Sequence, residues 1–187
     1  IEDGRLSKGD PNAPVKMVEY VDMFCPFCSK IHQQVIPKIE SQYIDTGKVH
    51  FEMRLIGKLH PDSERAGRGA YCAAEQGKFW NYIDEAYSRS WKNYYSLDTG
   101  TEEVDMFRED KIGTLVSAAG IDKITWNVCM GSERYKDVLK KNEAKLNEIQ
   151  GYGTPHFIMN GASYNGAPPY EVFQVTIDDE LKKSGAN

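Results

Sequence analysis

The sequence predicts an α/β fold in which the two ends of the chain build one sheet and an all-helical subdomain is inserted between them. Three observations lead there. Residues Val15 to Phe24 form a near-continuous apolar run that enters Cys25-Pro26-Phe27-Cys28 and passes into a helical pattern. Residues Val49 to Ile56 alternate apolar and polar side chains, the period of a half-buried strand. Strand character then returns only at Pro155 to Met159, after a long interval of three- and four-residue apolar spacing.

In the first run, Val15, Met17, Val18, Tyr20, Val21, Met23 and Phe24 are apolar or aromatic, as in a strand buried on both faces. The helix after the cysteines is expected to continue to Tyr43, with Ile31, Val35, Ile36 and Ile39 on one side and a kink or stop at Pro37. Gly47 closes the turn before the second strand. Strand, helix and strand then form a right-handed βαβ unit with parallel strands, which is half of a thioredoxin fold.

From about Pro61 to Gln150 the periodicity is helical. Ala66, Ala70, Ala73, Gly77, Trp80, Ile83 and Tyr87 predict one long helix with a small-residue face, and Ser88 to Gly100 reads as a loop. Val104, Phe107, Ile112, Leu115, Val116 and Ala119 form another stripe, stopped by Gly120. Asp122 suits the cap of a short helix carrying Trp126 and Cys129. Ser132 suits the cap of the next, with Tyr135, Val138, Leu139, Leu146 and Ile149 on one face. Asn160-Gly161 predicts a tight hairpin between Pro155 to Met159 and Ala162 to Tyr164. Pro168-Pro169 precede a last helix that turns Tyr170, Phe173, Ile177 and Leu181 inward. The expected division is 1–60 with 150–187 as one discontinuous domain and 61–149 as the inserted subdomain.

The cysteines carry the chemistry. Pro26 has its φ preset and no N–H, so it suits the first helical turn and leaves Cys25 beside the free N–H groups of the helix N-terminus. Partial positive charge there stabilises a thiolate, the nucleophile of thiol–disulfide exchange, so Cys25 is expected to have a lowered pKa. Cys28, one turn further in, is the resolving sulfur. A lone CxxC is also half of a zinc site, but strand, CPxC and helix in succession are more specific. Cys72 and Cys129 are either a second pair, which favours an oxidising compartment, or two buried thiols.

Composition narrows the alternatives. A net charge of -5 with interspersed signs and no basic run argues against a nucleic-acid surface. No stretch approaches the roughly 18 apolar residues of a membrane span. The polar opening IEDGRLSKGDPNAP carries no signal peptide and reads as the start of a mature or trimmed chain.

Four segments carry a resemblance to a known family. EYVDMFCPFC, AYCAAEQGKFW, GYGTPHFIMNG and GAPPYEVFQVTID resemble segments of the DsbA family of thiol–disulfide oxidoreductases, within the thioredoxin superfamily, and the similarity runs from about Pro14 to Leu181. The resemblance implies a thioredoxin fold with the helical insertion. It assigns Thr154-Pro155 as a cis-proline loop that offers backbone hydrogen bonds to an extended substrate peptide. Composition alone does not, since cis occurs at roughly 5–6% of X-Pro bonds in folded proteins. It matches Glu19 to an acidic position near the dithiol, a candidate proton relay. The competing assignment is a strand-edge carboxylate facing solvent or paired with Arg54 or Lys58. Asp22 is a nearer carboxylate in sequence, and His32 is expected to be a helix-face residue rather than a base. Cysteines in the segments of Cys72 and Cys129 recur in the family, which implies a structural disulfide between them.

The function that follows is a dithiol oxidase that introduces disulfides into extracytoplasmic, bacterial periplasmic proteins through a mixed disulfide at Cys25. It needs no cofactor and no metal. Expected partners are unfolded or reduced proteins and, by resemblance, a membrane redox partner of the DsbB type that reoxidises it, with the enzyme a monomer. Phe27 between the cysteines, where strongly oxidising relatives have histidine, points to a milder oxidant with an apolar docking surface. A reductase or isomerase is the alternative within the same chemistry. From another class, the alternative is a peptide-binding or chaperone module whose cysteines form a structural disulfide or zinc clip and whose aromatic cluster of Tyr87, Trp91, Tyr94 and Tyr95 holds peptide.

Overall fold

The computed structural model describes residues 5–96 and 104–185. Its strands are β1 (Ser7–Lys8), β2 (Val15–Val21), β3 (Val49–Leu55), β4 (His156–Met159) and β5 (Ala162–Asn165), and they lie side by side in the order β1-β3-β2-β4-β5. β2 and β3 are parallel, from Val15 opposite Val49 to Val21 opposite Leu55. β4 runs antiparallel to β2, with Met17 opposite Met159 and Tyr20 opposite His156. β5 returns antiparallel to β4 across Asn160 and Gly161, both at positive φ as the two-residue hairpin requires. β1, two residues antiparallel to β3, is too short and polar to have a periodicity in the sequence.

Alternation along β2 sends Val15, Met17, Glu19 and Val21 to one face. There they meet α1 (Pro26–Gln34) and α2 (Ile36–Ile39) together with α8 (Tyr170–Ser184), whose Phe173 and Ile177 are fully buried. The opposite face, with Val18, Tyr20 and Ile158, packs on Leu146 and Ile149 at the end of α7 (Lys136–Glu148). β2 is therefore less enclosed than its apolar run implies: Lys16 is exposed and Val18 half-buried. The strand also ends at Val21, because Asp22 turns the chain by accepting the Phe24 N–H at 2.9 Å. Pro37 breaks the first helix as expected. α1 stops at Gln34, and the chain resumes as α2 followed by a π-helical turn, Glu40–Ile44.

Between β3 and β4 lie α3 (Ser63–Ala74), α4 (Phe79–Ser90), α5 (Ile112–Ala118), α6 (Lys123–Gly131) and α7. Here the structure corrects four expectations. The one long helix is two, because Gly77 at φ +67° terminates the first, while the apolar spacing resumes in register and hides the break. The loop from Ser88 is instead the end of α4 and a π-helical turn, Trp91–Tyr95. Its remainder from 97 to 100 lies outside the described residues. Val104 and Phe107 are buried but precede α5 in turns rather than in a helix. Ser132 closes α6, its hydroxyl donating to the Cys129 carbonyl at 2.6 Å, and Tyr135 stands at the start of α7.

Asp122 caps α6 by accepting the Thr125 N–H. The small face of α3 admits close neighbours. Trp126 Nε1 donates to the Gly69 carbonyl at 2.9 Å and Tyr82 to that of Ala66 at 3.0 Å, and a Cβ at position 69 would stand 2.8 Å from the Tyr82 oxygen. Cys72 of α3 and Cys129 of α6 are bonded across this contact, at a sequence separation of 57.

A loop of that length loses substantial closure entropy from the unfolded chain. Replacing Cys72 and Cys129 by alanine should lower stability by about 2–4 kcal/mol. Denaturant melts of the two proteins, with Cys25 and Cys28 kept reduced in both, measure the difference.

Candidate active site

Cys25 occupies the N-cap position of α1. Its backbone is extended (φ −78°, ψ 116°), Pro26 follows at the first helical position, and the Cys25 sulfur accepts the Cys28 N–H at 3.2 Å. A cysteine thus takes the place that serine or aspartate fills in an ordinary cap, and its sulfur faces the free donors of the first turn. Cys25 and Cys28 are not bonded to each other. Their difference in access is smaller than expected: Cys25 keeps 2% of its surface and Cys28 none. Exposure is concentrated instead on Phe27, at 60%.

The Cys25 pKa is lowered from 9.0 to about 7. The largest cause is the hydrogen bond from the Cys28 thiol. Burial opposes it, and the Thr154 side chain and the N–H groups of Cys28 and Phe27 add to it. Cys28 is pushed well above its ordinary value, first by burial and then by the Cys25 sulfur and the charge of Glu19. The two sulfurs therefore divide the work that exchange requires: one holds a thiolate near neutral pH and the other holds a proton.

Thr154 and Pro155 lie against this pair, with the Thr154–Pro155 bond cis. The Thr154 carbonyl stands 3.1 Å from the Cys25 sulfur and accepts its proton in the thiol form. The Thr154 hydroxyl is buried without a partner of its own, which leaves it to serve the thiolate. The loop is held from behind. The Pro155 carbonyl accepts the Gly166 N–H at 2.9 Å, and the fully buried His156 spans Asn165 Oδ1 at 2.6 Å and Ser163 Oγ at 2.7 Å on β5.

Glu19 is fully buried on the α1 side of the sheet, not at a solvent-facing edge. Its Oε2 lies 2.9 Å from His32 Nε2, and its Oε1 has no partner. The alternative partners are engaged elsewhere, Arg54 with Glu52 and Lys58 with Glu143. His32 is likewise not a plain helix-face residue, being 8% exposed and stacked on Tyr87 with ring centroids 4.7 Å apart. Position i+4 from Cys28 on α1 and inward parity on β2 are signals that could have paired them.

Asp22 is also fully buried, but its oxygens are saturated. Oδ1 accepts from Phe24 N and Ser63 Oγ, and Oδ2 from Lys58 N and Leu59 N. It ties the turn before Cys25 to the segment after β3, a role invisible in sequence because three of the donors come from residues 58 to 63. Of the aromatic cluster of Tyr87, Trp91, Tyr94 and Tyr95, the three tyrosines are absorbed in packing and Trp91 is half-buried. Tyr87 is buried on His32, Tyr94 donates to Asp105, and Tyr95 donates to the Phe24 carbonyl at 2.8 Å. Cys72 and Cys129, bonded to each other, supply no ligands for a four-cysteine zinc site.

A buried dithiol at a helix N-terminus beside a cis-proline loop defines a thiol–disulfide exchange site, and comparison with known proteins agrees. A family model described as thioredoxin matches residues 2–179. A probable disulfide bond formation protein D of Bacillus anthracis is 30% identical over 180 residues, covering 95% of this chain and 78% of the relative. Its counterpart in Bacillus cereus is 30% identical over 182 residues, covering 95% and 79%. Among solved structures, BdbD from Bacillus subtilis in its oxidised form superposes with a TM-score of 0.78 at 24% identity, covering 96% of this chain and 94% of that one. Wolbachia pipientis alpha-DsbA1 gives 0.77 at 25% identity, covering 96% and 92%. The chain belongs to the thioredoxin family, as a DsbA-like thiol–disulfide oxidoreductase.

Because the Thr154 hydroxyl favours the thiolate, Thr154→Val should raise the Cys25 pKa above about 7. The pH dependence of Cys25 alkylation by iodoacetamide reads this directly: its midpoint moves to higher pH in the variant. An unmoved midpoint would show that the hydroxyl does not contribute.

Proposed function

We propose that this oxidoreductase works as a dithiol oxidase, introducing disulfides into extracytoplasmic proteins of a bacterium through a mixed disulfide at Cys25. The observation that carries it is the division between a Cys25 held down to about 7 and a Cys28 pushed well up. A thiolate at Cys25 stabilises the reduced enzyme, and a stabilised reduced form makes the disulfide form the stronger oxidant.

In the forward direction a substrate thiolate attacks the Cys25 sulfur of the oxidised pair. The Cys25–Cys28 bond breaks, and Cys28 leaves with the electron pair and takes up a proton. The substrate's second thiolate then attacks the mixed disulfide, its own disulfide forms, and Cys25 departs as thiolate. Glu19 is the carboxylate that exchanges the proton with Cys28. An extended substrate segment pairing with the Thr154 backbone would displace the contact between the Thr154 carbonyl and the Cys25 sulfur and so uncover it. Phe27 between the cysteines, Leu59, whose N–H bonds Asp22, and Tyr152, two residues before Thr154, are 60%, 52% and 85% exposed and offer apolar surface to unfolded chains. Phe27 brings no charge and no polar hydrogen to the thiolate, which supports an oxidant milder than one with histidine at that position.

The partners are reduced or unfolded proteins, with reoxidation by a membrane redox protein of the DsbB type and the enzyme acting as a monomer. The names of the Bacillus relatives, disulfide bond formation proteins, support the oxidase direction. Among the described residues no helix is long and apolar enough to cross a membrane.

The test is a trap. Oxidised Cys28→Ser enzyme cannot form, so the variant is charged as a mixed disulfide with glutathione and offered an unfolded protein that carries a single thiol. Cys28→Ser should accumulate a covalent adduct through Cys25 that dithiol treatment releases, while Cys25→Ser accumulates none. The wild-type disulfide form should convert the two-thiol version of this substrate to its disulfide. Adducts through both variants equally, or no substrate oxidation, would contradict the proposal.

A further inference from the structure

We propose that His32 is the surface-side end of a proton path for Cys28, taking the proton through Glu19 and releasing it to solvent beside Asp84 of α4. The proposal rests on the roles of Cys25 and Cys28 given above. A fully buried thiol that must gain and lose a proton in each cycle needs a route to water. Glu19 alone does not provide one, since it too is fully buried. His32 continues the route. Its Nε2 is 2.9 Å from Glu19 Oε2, and 4% of its side chain reaches the surface. Asp84 stands one turn before Tyr87 on α4 and is exposed; burial raises its carboxyl's pKa, and the charges of Lys8 and His32 lower it.

Among the described residues, the groups facing this pair leave no equivalent path. From β2 and its turn, Asp22 is saturated by four donors. From α4, Tyr87 stacks on the His32 ring, its hydroxyl lies 3.4 Å from the Asp22 carbonyl, and burial first, then the charges of Cys28 and Glu19, push its pKa well up. Lys8 of β1 and Glu40 after α2 also act on Asp84, Lys8 more strongly than His32, and they are paired with each other at 2.6 Å. Glu19 Oε1, buried without a partner, is the open acceptor on the path.

When a mixed disulfide on Cys25 is resolved, the Cys28 thiol gives its proton to the bare Oε1 of Glu19. The proton that Glu19 Oε2 and His32 Nε2 share in their hydrogen bond settles on Nε2, and the imidazolium releases its Nδ1 hydrogen to solvent. The Cys28 thiolate attacks the Cys25 sulfur, the Cys25–Cys28 bond forms, and the partner's sulfur leaves with the electron pair. In the oxidase direction the path runs in reverse: a proton enters at Nδ1 of His32, the shared hydrogen returns to Oε2, and Glu19 Oε1 gives its proton to the departing Cys28. Imidazole is suited to this because it can accept a proton on one ring nitrogen while it releases one from the other.

Stopped-flow reaction of the reduced enzyme with the symmetric aromatic disulfide dithiobis(nitrobenzoate) separates the steps. The first coloured thiol reports attack by Cys25 and the second reports resolution by Cys28. In the wild type the second phase should rise with pH and then level off, because an internal base supplies the deprotonation. His32→Gln keeps a donor toward Glu19 but cannot carry the proton. Its second phase should slow by about 100-fold at neutral pH and climb with pH without levelling, while its first phase is unchanged. Glu19→Gln should lose as much, and the double variant no more than either alone. A wild-type second phase that never levels off overturns the proposal without recourse to any variant. So does a His32→Gln enzyme whose second phase is unaffected, or is slowed with the levelling retained, which would make His32 a packing residue only. Absence of the first phase in the wild type would instead overturn the reading of Cys25 on which the proposal stands.

Discussion

The hydrogen bond from the Cys28 N–H to the Cys25 sulfur, 3.2 Å across the first turn of α1, is the constraint on which the rest of the structure depends. It requires a helix that begins immediately after Cys25, which Pro26 supplies, and a strand that delivers Cys25 to that point, which β2 supplies. Asp22 fixes the turn between them with four accepted hydrogen bonds. The cis Thr154–Pro155 segment closes the site from the other side, and it can do so because β4 pairs directly with β2. Sheet order is thus part of the chemistry. It brings together residues 25 and 154, which are distant in sequence.

The site sets two carboxylates and two thiols in a dry environment, and the cost of doing so is managed unequally. Asp22 is fully hydrogen-bonded and acts as a fastener. Glu19 is left with one oxygen bonded to His32 and the other bare, an arrangement that structure alone does not reward, since an unsatisfied buried acceptor costs on the order of 1–3 kcal/mol. That imbalance points to Glu19 and not to Asp22 as the group that exchanges protons. It also explains the opposite pKa directions of the cysteines. Cys25 has donors and a trace of surface, whereas Cys28 has burial and the negative charge of Glu19.

Much of this was legible in the sequence because the signals are local. Proline chemistry at Cys25-Pro26, the Asn160-Gly161 turn and the Asp122 cap each depend on a few neighbouring residues, and all three appear where the local chemistry puts them. The failures share a different cause. The split between α3 and α4 is hidden because apolar spacing persists across Gly77. The π-helical turn Trp91–Tyr95 has no spacing of its own, and its aromatic residues resemble a loop cluster until Tyr95 is seen bonded to the Phe24 carbonyl. Within the site, the partner of Glu19 depends on which face of β2 meets which face of α1. Parity and the i+4 spacing from Cys28 to His32 hold that information, but only once the two elements are docked.

The account predicts that Cys25 is a thiolate in the reduced enzyme above a pH of about 7, with Cys28 still protonated. The most direct test is the reduction potential of the Cys25–Cys28 couple measured against pH. Reduction that takes up two protons lowers the potential by about 59 mV per pH unit, and reduction that takes up one lowers it by about 30 mV. The slope should change from the first value to the second at a pH of about 7. A slope that stays near about 59 mV up to the ordinary thiol range would mean that no thiolate is stabilised at the helix N-terminus, and would contradict the account at its centre.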